Sequence, residues 1–131
     1  MKVLALDFGS ARTGVAVSDP TGTLARPLRV VERAESEAGL AELARLVRAE
    51  EAERVVVGLP LTMRGTRGEQ AAATERFVET LKGVVDVPIV LYDERFTTDL
   101  ARRTPSAAPE DARAAAHLLE SYLQWSSRAP A

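Results

Sequence analysis

The chain has 131 residues, 46% of them hydrophobic, and a formal net charge of −2 at pH 7, which favours one globular domain and argues against a protein that coats nucleic acid nonspecifically. It has no cysteine, which excludes disulfide bonds, thiolate metal sites and a cysteine nucleophile and leaves oxygen ligands or the single His117 for any metal ion. No apolar run approaches the roughly 20 residues that span a bilayer, and the N-terminus lacks the apolar centre of a secretion signal, so we expect a cytoplasmic protein.

Three strands are predicted in the N-terminal part of the chain. Residues 2–8, KVLALDF, have the composition of a buried strand, and VAVS, which ends before Asp19 and Pro20, is a second strand. The segment GSARTG between them is bounded by glycines and is typical of a hairpin turn. A third, more polar strand is predicted from Leu24 to Val31.

Helices and strands alternate in the middle of the chain. Ser36 offers an N-cap for a first helix, in which apolar residues recur at helical spacing up to the acidic stretch EEAE. RVVVGLP, residues 54–60, is a continuous β-branched run that suits a central parallel strand covered on both faces. A second helix follows and is closed by Gly83, and VPIVLYDE, residues 87–94, is the last strand.

The C-terminal part of the chain predicts two helices. A short helix covers Thr98 to Arg103, the segment TPSAAP follows it, and a final helix runs from about Glu110 to Trp125. We therefore expect one α/β domain over residues 1–126, with a mixed five-stranded sheet of three antiparallel strands plus two parallel strands, flanked by helices. Residues 127–131 are expected to form a flexible tail.

Acidic residues lie where two of the predicted strands end. Asp7 ends the first strand, and its simplest interpretation is that it caps the following turn. Asp93 and Glu94 end the last strand. Because side chains alternate along a strand, only one of these two can point to a given face of the sheet, and either could instead cap the next helix.

Asp111 lies at the head of the apolar stripe of the final helix. The stripe follows it at offsets of three, four, seven, eight and eleven residues, at Ala114, Ala115, Leu118, Leu119 and Tyr122. Arg113, Glu120 and Gln124 fall on the opposite side and are predicted to face solvent. An acid on a core-facing stripe needs a reason, and the simplest one is that the helix dipole favours negative charge in the first turn.

One explanation covers all three acidic positions. The two strand ends and the helix start can adjoin in a mixed sheet that is packed by its last helix. Carboxylates held close together repel and raise one another's pKa, and divalent cations remove that repulsion. All-oxygen ligands suit hard Mg²⁺ or Mn²⁺ ions, which also bind phosphate oxygens.

Four motifs occur in order along the chain, namely LALDFGSARTGVAVSD, VVGLPLTMRGTRGEQA, DERFTT and DARAAAHLLESYL. Together they resemble the successive motifs of the YqgF family, also called Holliday junction resolvase-like proteins or pre-16S ribosomal RNA nucleases. The resemblance covers nearly the whole chain and implies a ribonuclease-H-like fold. The acidic positions of the family fall on Asp7, Glu94 and Asp111, which selects Glu94 rather than Asp93.

The resemblance implies a nuclease that hydrolyses phosphodiester bonds with two metal ions, Mg²⁺ or Mn²⁺. Asp7, Glu94 and Asp111 would be its catalytic and metal-binding residues, with Asp7 bridging the ions. Its nucleic-acid substrate would be either precursor 16S ribosomal RNA, processed at the 5′ end, or a Holliday junction, and the sequence does not choose between them. A junction resolvase must place two sites across a symmetric substrate, so a homodimer would favour that role.

Six further residues are predicted to contact nucleic acid, namely Ser10, Arg12, Arg64, Arg67, Arg95 and Thr97. Ser10 and Arg12 occupy the turn beside Asp7, where hydroxyls and backbone N–H groups can meet a phosphate, although the segment can equally be a plain hairpin turn. Arginine binds phosphate well, but each arginine could equally be a solvated surface charge. Relatives usually carry a longer, lysine-rich loop where this chain has TPSAAPE, which contains no basic residue.

Several features have competing interpretations. His117 lies off the stripe of Asp111 and is predicted to be no metal ligand, while Phe77, Tyr122 and Trp125 are predicted core or interface residues rather than platforms for bases. DFGSARTGVAV also resembles the first phosphate motif of sugar kinases and actin-like ATPases, but those proteins close two domains around a nucleotide. A binding module without catalysis is the remaining alternative, which the lack of a basic loop favours weakly.

Overall fold

A computed structural model describes residues 1–60, 68–93 and 110–128 of the chain. The elements in these ranges are, in chain order, β1 Val3–Asp7, β2 Arg12–Ser18, β3 Ala25–Glu32, α1 Glu37–Ala49, β4 Arg54–Leu59, α2 Glu69–Leu81, β5 Ile89–Asp93 and α3 Glu110–Arg128. None of the helices in these ranges is long and apolar enough to cross a membrane. The short helix predicted from Thr98 to Arg103 lies outside the described residues.

The strands form a five-stranded sheet in the order β3-β2-β1-β4-β5. β2 pairs antiparallel with β1 and β3, whereas β4 pairs parallel with β1 and β5. The predicted mixed sheet is therefore confirmed. β1 and β4 each have a strand on either side, and their buried side chains point to both faces, which explains why both segments are continuous apolar runs.

The two faces of the sheet carry different helices. α1 and α2 pack on one face, against strand residues that include Leu4, Leu6, Val55 and Val57. Within the described ranges, α3 packs on the other face, against Val3, Ala5, Ala16, Val56 and Tyr92. Two of these five side chains are alanine methyl groups, so α3 can lie close to β1 and β2.

The start of α1 agrees with the predicted cap. The backbone N–H of Gly39 donates to Ser36 Oγ at 3.0 Å, and the Ser36 hydroxyl donates to the carbonyl of Arg33 at 2.7 Å. Ser36 thereby satisfies one of the N–H groups that a helix leaves unpaired in its first turn. The N-cap prediction is confirmed.

The turn between β2 and β3 is fixed by side-chain hydrogen bonds. The Asp19 carboxylate accepts from the Thr21 hydroxyl and from the backbone N–H groups of Leu24 and Thr23, at 2.9 and 2.8 Å for the two backbone donors. These hydrogen bonds hold the pKa of Asp19 well below its usual range. The backbone N–H of Val3 also donates to the buried Ser18 Oγ at 2.8 Å, so β1 and β2 are joined firmly at this end of the sheet.

Two element boundaries differ from the prediction by three residues. β2 begins at Arg12 rather than at Val15, because the residues from Arg12 onward pair with the end of β3. α3 continues beyond Trp125 to Arg128, so residues 127 and 128 belong to the helix and not to the predicted tail. No glycine or proline interrupts this last turn, and the hydroxyls of its two serines donate back to helix carbonyls.

The buried stripe of α3 is wider than predicted. Its buried residues are Ala112, Ala115, Ala116, Leu118, Leu119, Tyr122 and Leu123. Ala114 is half-buried, and Arg113 is also half-buried rather than solvent-facing, which corrects the prediction for that residue. Glu120 and Gln124 are exposed, as predicted. The stripe widens because α3 lies against β1, β2 and β3 together, not against one strand.

Candidate active site

Asp7 ends the middle strand of the sheet. Because side chains alternate along a strand, Asp7 lies on the face of Val3 and Ala5, which pack against α3. Its side chain is half-buried, and its cross-strand partner is Gly14 in β2. The carboxylate therefore belongs to the α3 side of the sheet.

Gly14 forms the contact on which α3 begins. A Cβ atom at Gly14 would lie 1.9 Å from the backbone oxygen of Asp111 and 2.4 Å from its carbonyl carbon. Only a residue without a side chain allows this approach. Since Gly14 is also directly opposite Asp7, with Cα atoms of such pairs about 5 Å apart, the first turn of α3 adjoins the end of β1. Asp7 and Asp111 are thus brought to the same face and the same end of the sheet.

The Asp111 carboxylate is paired with an arginine. Arg12 Nε lies 3.3 Å from Asp111 Oδ2, and the two side chains are 66% and 40% exposed. Arg12 is the first residue of β2, two residues before Gly14. The glycine that contacts the start of α3 and the arginine that pairs with Asp111 therefore belong to one short segment. Glu110 and Asp111 also occupy the first turn of α3, where the helix dipole favours negative charge.

Asp93 is excluded from this cluster by the alternation of β5. Val90 and Tyr92 pack on the α3 face, whereas Ile89 packs against the core formed with α1 and α2. Asp93 shares the parity of Ile89 and therefore lies on the face opposite Asp7.

Several predicted site residues lie outside the described ranges. They are Glu94, Arg95 and Thr97 after β5, together with Arg64 and Arg67 between β4 and α2. Asp7, Ser10, Arg12 and Asp111 are the predicted site residues that the structure describes, and all four are at the end of the sheet where β1 stops.

The donor chemistry of this end of the sheet fits a hard divalent cation. Asp7 and Asp111 both offer carboxylate oxygens, which Mg²⁺ and Mn²⁺ prefer. Among residues 1–60, 68–93 and 110–128, no three acidic or histidine side chains are grouped closely enough to hold an ion. A ligand set that included Asp7 and Asp111 would therefore need at least one further donor beyond the described residues.

A cavity of about 190 Å³ lies beside Asp7. Ser10 and Pro60 line it on the strand side, and Gln70 and Thr74 line it on the side of α2. The exposed Ser10 hydroxyl and the Gln70 amide offer hydrogen bonds to a polar ligand. Gln70 was not predicted as a site residue, although its place in the first turn of a helix after a glycine-containing loop was a usable signal.

The remaining candidates separate into core and surface. Phe77 is buried and stacks on Phe8 at 4.4 Å between ring centroids, and Tyr122 is buried and accepts a hydrogen bond from Arg54 at 2.8 Å. Both are therefore core residues, as predicted. Trp125 contacts Tyr122 at 6.0 Å between centroids but is 53% exposed, so it lies at the margin of the core.

A comparison with models of protein families shows which family the chain belongs to. The model of the family described as "RuvX: Holliday junction resolvase" matches residues 1–125. The chain belongs to the RuvX family. This confirms the resemblance to the YqgF family, which is the same family under another name.

Curated RuvX relatives match at high coverage. One from Chloroflexus aggregans, named "Putative pre-16S rRNA nuclease", is 42% identical over 130 residues, which cover 92% of this chain and 92% of the relative. One from Listeria innocua with the same name is 38% identical over 134 residues, covering 94% and 97%. Both relatives carry the name of a nuclease, so RuvX is a nuclease family.

Solved structures show the same fold at low identity. RuvC of Thermus thermophilus in complex with a Holliday junction substrate matches with a TM-score of 0.66 at 16% identity, covering 97% of this chain and 96% of RuvC. The fowlpox virus Holliday junction resolvase matches with a TM-score of 0.55 at 10% identity, covering 95% and 99%. At such identities the likeness concerns the fold, and it confirms the predicted ribonuclease-H-like architecture.

Proposed function

We propose that this chain is a divalent-metal-dependent nuclease that hydrolyses phosphodiester bonds in precursor 16S ribosomal RNA, in the processing of its 5′ end. The proposal rests on the close contact between Gly14 and the backbone of Asp111 at the start of α3. This contact brings Asp111 beside the end of β1, which bears Asp7. The names of the curated relatives favour ribosomal RNA as the substrate.

Three carboxylates hold the metal ions in this proposal. Asp7, Asp111 and Glu94 would hold two Mg²⁺ or Mn²⁺ ions through their carboxylate oxygens. Glu94 is chosen over Asp93 because Asp93 lies on the wrong face of the sheet. When bound, the ions supply Lewis acidity for an in-line displacement at phosphorus. The two described carboxylates, Asp7 and Asp111, lie at the same end of the sheet.

We assign the binding of the phosphate backbone to the six residues predicted from the sequence. Ser10 is exposed and lines the cavity beside Asp7, and Arg12 is largely exposed at the start of β2. Arg64, Arg67, Arg95 and Thr97 complete the proposed contact surface. Because residues 104–110 contain no basic side chain, we assign the grip on the substrate to these dispersed residues rather than to that loop.

A Holliday junction is the second candidate substrate. The family model carries the description of a junction resolvase, and the solved RuvC that shares the fold was bound to such a junction. This role requires two active sites related by symmetry, so it also predicts a homodimer.

The experiment is a side-by-side cleavage assay of a structured precursor RNA and a four-way DNA junction, each in Mg²⁺ and in Mn²⁺. Wild-type protein should cut the RNA, EDTA should stop the reaction, and Asp7→Asn and Asp111→Asn should each lower the rate at least about 100-fold because a metal ligand is lost. Asp86→Asn, an exposed acid in the loop before β5, is the matched control and should cut as fast as wild type.

Each other outcome has a defined meaning. Preferential cutting of the junction would replace RNA by branched DNA as the substrate. Wild-type rates for Asp7→Asn would remove the metal site from the proposal. If the protein cuts neither substrate but binds RNA, it is a binding module, and tight binding of ATP in Mg²⁺ would instead support the kinase-like interpretation.

A further inference from the structure

The Asp111 carboxylate forms an ion pair with Arg12 of the same chain. Arg12 Nε lies 3.3 Å from Asp111 Oδ2 at the end of the sheet that also bears Asp7. If Asp111 is a metal ligand, as the proposed function has it, the guanidinium and the metal ion compete for the same carboxylate. Two positive groups next to one carboxylate also repel each other.

The Arg12–Asp111 pair is well suited to being broken. Both side chains are substantially exposed, at 66% and 40%, and exposed ion pairs are weak because water screens them. The guanidinium also has a second partner available during the reaction, since a phosphodiester of the substrate can accept two of its parallel N–H groups. The cross-strand Cα partner of Arg12 is Glu32, so a second acid lies on the neighbouring strand.

We propose that Arg12 is a positioning residue that keeps Asp111 paired until a substrate phosphate draws the guanidinium away and leaves Asp111 to the metal ion. The inference rests on the proposed function and concerns a phosphodiester backbone and a divalent cation as the two ligands. It makes their binding reciprocal, because each ligand removes a competitor of the other. A free chain then binds metal less well than a chain engaged with nucleic acid.

The test is a calorimetric titration of the metal-free protein with Mn²⁺ alone. Arg12→Gln should bind Mn²⁺ about threefold more tightly than wild type, within a range of about two- to fivefold, because an exposed ion pair no longer has to break. A residue that merely held α3 in place would give the opposite result, since its removal would loosen Asp111 and weaken metal binding.

Arg26→Gln is the matched control. Arg26 is 61% exposed, and its guanidinium lies 3.6 Å from Glu50 Oε1, so it is also an exposed arginine in an ion pair. Arg26 lies in β3 beside Val17, at the end of β2 that is remote from Arg12. Its replacement should leave the affinity for Mn²⁺ unchanged. A gain as large as that of Arg12→Gln would mean that any lost positive charge has this effect, and it would overturn the specific role of Arg12.

A second measurement tests the transfer of Arg12 to phosphate. In EDTA, a fluorescently labelled structured RNA should bind Arg12→Gln about threefold or more weakly than wild type, because a phosphate contact is lost while no metal is present. Equal RNA affinity, or Mn²⁺ binding by Arg12→Gln that is no tighter than wild type, would overturn the inference.

Asp111→Asn separates this inference from the function on which it rests. If Asp111→Asn loses Mn²⁺ affinity while Arg12→Gln binds as wild type does, the metal site stands and the role of Arg12 is wrong. If Asp111→Asn binds Mn²⁺ as wild type does, the metal site and the role of Arg12 both fail.

Discussion

Asp93, the last residue of β5, and Asp7, the last residue of β1, are chemically alike but lie on different faces of the sheet. Asp93 falls on the face that α1 and α2 cover, with Ile89, and Asp7 falls on the face that α3 covers. A carboxylate on the wrong side of a sheet cannot share an ion with Asp7, because the backbone layer lies between them.

The first prediction separates Glu94 from Asp93 by activity. Glu94→Gln should lower the rate of metal-dependent cleavage about 100-fold or more, because a ligand is lost, whereas Asp93→Asn should change it less than about threefold. Cleavage assays in Mg²⁺ at equal protein concentration check this, with circular dichroism to verify that both variants fold. The assignment of Glu94 is wrong if Asp93→Asn is the more damaging change.

The residues of the site differ in how far the sequence alone could predict them. Asp7 and Asp111 were accessible because a strand end and a helix stripe are local patterns that show which way a side chain points. The ion pair of Arg12 with Asp111 was not, since it joins the start of β2 to the start of α3 and depends on how closely the helix docks. The functional roles of all predicted site residues stay predictions. For Glu94, Arg64, Arg67, Arg95 and Thr97 the placement also lies outside the described residues.

The contact between α3 and β2 is the element-scale feature on which the site depends. The sequence predicted both elements, because their periodicities are local, but it treated Gly14 as part of a turn. In the structure Gly14 lies within β2 and is in close contact with the backbone of Asp111. A glycine inside a strand often marks a close approach of another backbone, but the sequence pattern places Gly14 in the turn before the strand. What approaches the glycine is set by tertiary packing, which no local pattern contains.

The second prediction concerns Gly14. A Cβ there would lie 1.9 Å from the backbone oxygen of Asp111, so α3 has to move away by more than 1 Å to accept it. Gly14→Ala should lower the free energy of unfolding by about 1 to 3 kcal/mol, as overpacking does, and it should also slow cleavage because Asp111 moves with the helix. Urea denaturation gives the stability change.

Gly68→Ser is the matched control for this change. Nothing lies within 4 Å of a Cβ at Gly68, and serine is a favourable residue at the N-cap of α2, where Gly68 stands. The stability of Gly68→Ser should equal or exceed that of wild type. Equal stability of Gly14→Ala and wild type would show that α3 has room over β2.

At the scale of the whole molecule, binding to nucleic acid has to work against a net charge of −2. In the proposed function, the attraction comes from local arginines rather than from an overall basic surface. Such contacts release counterions from the phosphate backbone, so each of them adds to the dependence of affinity on salt.

The third prediction is measured as that salt dependence. Between 50 and 200 mM salt in EDTA, the RNA affinity of wild type should fall on a log–log plot with a slope of about −0.7 for each phosphate contact on single strands. Arg12→Gln should make the slope shallower by about one contact, and Arg26→Gln should leave it unchanged. A flat response in wild type would contradict backbone recognition by arginines.

The joining of β1 to α3 has a consequence during synthesis. Asp7 belongs to the first described strand to leave the ribosome, and Asp111 belongs to the last described helix. Because α3 contacts Gly14 of β2, a nascent chain cannot bring Asp7 and Asp111 together until α3 has left the ribosome and packed against the sheet. The two proposed metal ligands therefore come together only after the C-terminal helix has been synthesised.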